Sequence, residues 1–96
     1  MQYKIIITSN ANKDIQKAIY WEEDRSKGLG EKFYLDLDKR LKTLANSPAI
    51  GTIRYDDVRC ISTKVFQYLI HYTINDSQKE ITILRIWHTR QNPIGE

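Results

Sequence analysis

Cysteine and methionine each occur once in the 96 residues, and proline and histidine each occur twice. The lone thiol, Cys60, excludes an internal disulfide and has no CxxC partner. In an apolar-looking strand it reads as a small buried hydrophobe. Two histidines without paired carboxylates at ligand spacing make no metal constellation. No glycine-rich loop is present to cradle phosphate, so neither metal nor cofactor is expected. No apolar run approaches the roughly 20 residues that span a bilayer. The first residues, Met-Gln-Tyr-Lys-Ile-Ile-Ile-Thr, lack the apolar core and small-residue cleavage site of a signal peptide. The expectation is a cytoplasmic protein with no membrane association.

What is present is an ordinary globular composition, 41% hydrophobic and 28% charged. The length fits a single domain over residues 1–96 with one core. The net charge of +3 and a pI of about 9.0 are mildly basic and suit a polyanion or an acidic protein partner. In the first half, Lys and Arg are interleaved with Asp and Glu, which reads as a solvated face. In the second half Arg54, Arg59, Lys64, Arg85 and Arg90 stand mostly alone on strands.

Residues Gln2 to Thr8 read as a strand, followed by an N-cap at Ser9 or Asn10 and a helix from Ala11 to Ser26. Ile15, Ala18 and Ile19 form its apolar stripe, and Asp14 suits the helix dipole. Tyr20 and Trp21 widen the apolar surface. The simpler expectation is that they pack on the next helix; exposed, they would meet a protein partner. Lys27-Gly-Leu-Gly30 permits a tight turn. A second helix follows from Glu31 to Ala45, with Phe33, Leu37, Leu41 and Leu44 on one face, ending at Asn46 and Pro48. Four strands come next: Thr52–Tyr55, Val58–Ser62, Lys64–Ile74 and Ile81–Arg90. Asp56-Asp57 and Asn75–Lys79 make the turns, and Gln91–Glu96 is a tail. The order β-α-α-β-β-β-β indicates an α+β fold. The sheet is expected to be mainly an antiparallel meander that the first strand joins, with the helical hairpin on one face.

The chain resembles the RelE/ParE superfamily of toxins from bacterial type II toxin–antitoxin systems, over nearly its whole length. The resemblance rests on Ala11-x-x-Asp14-Ile15 running to the aromatic Trp21, and on Gly28-Leu-Gly30-x-x-Phe33. It continues through Leu37-x-x-x-Leu41-x-x-Leu44-x-x-x-Pro48, then Arg59, Phe66-x-Tyr68-x-Ile70-x-Tyr72 and His88-x-Arg90-x-x-Pro93. RelE-like members are ribosome-dependent endoribonucleases that cut messenger RNA; ParE-like members inhibit DNA gyrase. The Gly-Leu-Gly turn and long helical hairpin are more similar to the ParE side. The resemblance implies a cognate antitoxin whose binding segment is commonly acidic or amphipathic, gaining order as it wraps the toxin in a hetero-oligomer. Tyr20, Trp21 and Tyr34 are the candidate antitoxin contacts.

For either target the chemistry is carried by the strands. Metal-free RNA cleavage needs a base, an acid, cations for the phosphorane and a hold on the bases. His88, Arg59 and Arg90 are the catalytic candidates if the chain is a nuclease. Arg59, Lys64, Tyr72, Arg85 and Arg90 are the candidates for contacting the target, because guanidinium matches phosphate and tyrosine stacks on bases. His71, mid-strand, reads more simply as a sheet-face histidine. Strict alternation groups His71 with Leu69 and Thr73, His88 with Leu84 and Ile86, and Arg85 with Ile83 and Trp87. Arg85 and His88 then point to opposite sides unless a bulge intervenes. A third reading is an inactive relative that acts only by binding.

Overall fold

A computed structural model describes residues 2–89. It shows β1 (Lys4–Ile7), α1 (Ser9–Arg25), α2 (Leu29–Asn46), a 3-10 turn (Pro48–Ile50), β2 (Thr52–Tyr55), β3 (Val58–Ser62), β4 (Tyr68–Asn75) and β5 (Glu80–His88). The fold is α+β in the expected element order. The sheet order is β1-β5-β4-β3-β2, antiparallel from β2 to β5, with β1 added parallel to β5.

The cap of α1 lies one residue earlier than expected. Thr8 is still extended (φ −67°, ψ 163°), and its Oγ1 accepts from Ala11 N at 3.1 Å. The same hydroxyl donates to Ile83 O at 2.9 Å, fastening the helix start to β5. At the other end, Gly28 adopts φ 91°, and the Glu23 carboxylate accepts from Gly28 N and Gly30 N. Those backbone donors hold the Glu23 carboxyl below its ordinary range. A side chain of α1 therefore caps α2. Gly30 also has to be glycine on packing grounds, because a Cβ there would lie 2.9 Å from Ile19 O.

Both helices cover one sheet face. Ala11, Ile15, Ala18, Phe33, Leu37 and Leu44 meet Ile61, Tyr68, Ile70, Tyr72, Ile81, Ile83 and Ile86. Burying side chains of this size stabilises by about 1.5–3 kcal/mol each before entropy is set against it. The expected strand Lys64–Ile74 is shorter in the structure. Residues 63–67 leave the sheet, with Gln67 at φ 60°. The reason is tertiary: Asp36 of α2 accepts from Val65 N and Phe66 N at distances down to 2.8 Å, giving those donors a partner outside the ladder.

β5 contains the bulge that alternation alone could not place. Arg85 pairs with His71 and Ile83 with Tyr72, which leaves Leu84 unopposed. Past it, Ile86 rather than Arg85 returns to the core. Among the described residues no helix is long and apolar enough to cross a membrane.

Candidate functional site

The sheet face away from the helices carries the densest chemistry, centred on His71. Cys60 lies opposite His71 on β3, with its Sγ 3.3 Å from His71 Nδ1. The Tyr55 hydroxyl is 3.4 Å from the same nitrogen. The Trp87 ring meets the imidazole edge-on at 4.9 Å. His71 is only 5% exposed despite lying on this face, and its Nε2 has no hydrogen-bond partner among the described residues. Burial pushes the His71 pKa below 6.5, and the charges of Arg54 and Arg85 push the same way. Burial raises the Cys60 thiol pKa, partly offset by Arg54. At neutral pH this is a thiol beside a neutral imidazole. It is not an activated thiolate pair.

Arg85 reaches across the edge of the sheet to α1. Its Nε and Nη2 donate to the two oxygens of Asp14 at 2.8 and 3.0 Å, and its guanidinium lies 4.6 Å above Trp87. The remaining strand candidates are dispersed. Arg59 pairs with Tyr72 and faces the helix side, where its Nη1 donates to Gly51 O at 2.8 Å. Tyr72, expected to contact a target, is fully buried; its hydroxyl donates to Pro48 O at 2.6 Å and accepts from Gly51 N at 2.9 Å. These two residues fasten the 3-10 turn to the sheet. Lys64 is exposed in the loop tethered by Asp36.

His88 pairs with Tyr68, and their rings meet edge-to-face at 5.0 Å on the helix side. The Tyr68 hydroxyl donates to the buried Glu22 at 2.8 Å, and burial together with that carboxylate raises the phenol's pKa. Tyr68 and Tyr72 are four residues apart on β4, so Arg59 and His88 are separated by roughly 13 Å along the strands alone. Arg90 lies outside the described residues.

Tyr20, Trp21 and Tyr34 are 73%, 63% and 49% exposed. The expectation that Tyr20 and Trp21 pack on the second helix is corrected. Tyr20 lies on the side of α1 opposite Ala11 and Ala18, while Trp21 follows Asp14 by seven residues, on the flank facing β5. Sequence reasoning noted Arg54 as an isolated cation without carrying it into the candidate site, and it passed over Arg40. The signal for Arg54 was an isolated cation in a short strand that is exposed throughout. For Arg40 there was none, since its role depends on a contact with Ser62. Among the described residues no cluster of three or more His, Cys, Asp or Glu would hold a metal ion.

Comparison with known proteins gives a consistent picture. The family model for the ParE toxin of the type II toxin–antitoxin system parDE matches residues 5–93. Among solved structures, the chain is similar to the intact E. coli RelBE toxin–antitoxin complex, at 18% identity and TM-score 0.70, over 93% of this chain and 99% of that one. It is also similar to the chromosomal ParDE system of P. aeruginosa, at 23% identity and TM-score 0.72, over 91% and 96%. The isolated E. coli RelE toxin matches at 18% identity and TM-score 0.70, over 96% and 89%. No curated protein sequence matches this chain. The structural likenesses carry the fold, and the family match spans nearly every described residue of both layers: the chain belongs to the ParE toxin family of type II toxin–antitoxin systems.

Proposed function

We propose that this toxin arrests growth by binding DNA gyrase, and that a cognate antitoxin neutralises it by covering the exposed aromatic side chains of the helical hairpin. The observation that carries the target reading is the dispersal of the groups that RNA cleavage would need. His88 is packed on Tyr68, Arg59 is engaged with Gly51 O well away from it, and Arg85 is committed to Asp14 across the β5 edge. A general acid and a phosphate clamp have to converge within hydrogen-bond reach of one phosphate. The described residues supply the groups without that convergence. A protein that works by occupying a partner's surface needs no such convergence, and the family match over residues 5–93 supports the gyrase side of the superfamily.

Tyr20, Trp21 and Tyr34 support the antitoxin contact, because large exposed aromatics are the side chains that dominate protein interfaces. The similar E. coli RelBE structure is a toxin–antitoxin complex, which supports a hetero-oligomer here.

The test is a paired assay on purified protein: gyrase supercoiling in one arm, and translating ribosomes with end-mapped messenger RNA in the other. Loss of supercoiling with intact message is expected. Cuts in ribosome-bound message with normal supercoiling would replace this reading with the nuclease. No effect in either arm would leave the binding-only relative.

A further inference from the structure

β2 closes the sheet, so among the described residues one side of its backbone has no strand partner. All four of its residues are exposed, including Ile53 and Tyr55. A bare edge of this kind is a template for a second extended chain. Beside it a groove of about 340 Å³ opens against the end of β3 and α2. Arg40, Ile50, Thr52, Arg54, Ser62 and Leu69 line it, and no carboxylate does. Three other cations are held by carboxylates, Arg25 by Glu22, Lys42 by Asp38 and Arg85 by Asp14. Among the described residues, no acidic group lies within ion-pair distance of Arg40 or Arg54. Arg40 Nε donates to Ser62 O at 2.9 Å, which seats the guanidinium against β3 and leaves its two terminal nitrogens for another acceptor.

We infer that this edge and groove receive an extended, acidic segment of a protein partner, its backbone pairing with the outer side of β2 and its carboxylates meeting Arg40 and Arg54. Charge and backbone together choose the occupant. Carboxylates answer the two arginines, a strand answers the unpaired edge, and apolar side chains at every second position answer Ile50 and Ile53. A nucleic acid would satisfy the arginines and leave the edge bare. The inference deepens the antitoxin reading and rests on it only for the partner's source.

The test titrates the full chain into a fluorescein-labelled 12-residue peptide of alternating glutamate and valine, followed by anisotropy, with backbone amide NMR to locate the contact. The controls are the same peptide with glutamine for glutamate and a 12-nucleotide single-stranded RNA. Expected are saturable binding of the glutamate peptide, shifts at Thr52–Tyr55, and binding at least about fivefold weaker for the glutamine peptide. Arg54→Gln, at an exposed position, is expected to weaken binding about three- to tenfold with an unchanged Tm. Arg40→Gln should act in the same direction; because it also loses the Ser62 contact, Arg54→Gln is the deciding variant. No binding, equal binding of the glutamine peptide, or shifts confined to the helical hairpin would overturn the proposal. So would tighter, Arg54-dependent binding of the RNA. The assay contains neither gyrase nor ribosomes, so its failure and a failed supercoiling result are separate outcomes.

Discussion

Asp14 and Arg85, seventy-one positions apart, form a two-pronged ion pair at 2.8 and 3.0 Å, and the same carboxylate accepts the backbone N–H of Ile86 at 3.0 Å. β1 pairs with β5 only as far as Ile83. Beyond that point β5 is an edge, and Asp14 supplies the acceptor that a neighbouring strand would have given it. Asp14→Asn is expected to lower the unfolding free energy by about 2 kcal/mol, since a buried charge-assisted set is broken. Asp38→Asn, which removes the exposed pair with Lys42, should cost under about 0.5 kcal/mol. Urea denaturation of both variants distinguishes the two.

The turn between the helices tolerates little at Gly30. Gly30→Ala places a methyl 2.9 Å from a backbone carbonyl, so α1 and α2 must separate. The expected cost is about 1–3 kcal/mol, read as a fall in Tm.

His71 makes stability depend on pH. Its folded pKa lies below 6.5, chiefly because burial disfavours the charged ring, so the folded chain binds fewer protons than the unfolded one in that range. The stability is fully present above pH 6.5 and is lost as pH falls through the folded pKa. His71→Phe should remove this contribution to the slope, measured as unfolding free energy between pH 7 and 5.

Tyr72→Phe deletes the hydroxyl that donates to Pro48 O and accepts from the buried Gly51 N. The expected loss is about 1–2 kcal/mol. Amide exchange should quicken most around residues 48–55, the segment that this hydroxyl fastens to the sheet.

For the antitoxin surface, Trp21→Ser combined with Tyr20→Ser should leave Tm nearly unchanged because both side chains are exposed. Antitoxin affinity is expected to fall more than about tenfold, read by calorimetry. Undiminished affinity would remove the helical hairpin from the interface.

The local amino-acid pattern determined the two helices, the turn at Gly28–Gly30 and the strand order along the chain. Phe33, Leu37, Leu41 and Leu44 can share a core face only on a helix, and the residues of β4 and β5 alternate as strands do. The ordered motifs also carried the resemblance to the family, and several of them fall on turn and core sites, such as Gly28, Gly30, Phe33 and Leu37. What the sequence could not fix were relations set by distant contacts. Counting alternation along β5 groups Arg85 with the buried Ile83, but the unopposed Leu84 shifts the phase and puts Ile86 in the core. Asp14 reads locally as a helix-dipole residue, and only packing gives it Arg85 and Ile86. Val65 and Phe66 suit a strand by propensity, yet Asp36 takes their N–H groups and draws them out of the sheet. Tyr72 and Arg59 look like surface chemistry until the 3-10 turn supplies the carbonyls that claim them. A local pattern fixes which way a short segment faces. Which charges remain available for a partner was decided in tertiary structure, because a buried polar group must find its acceptor wherever the fold brings one.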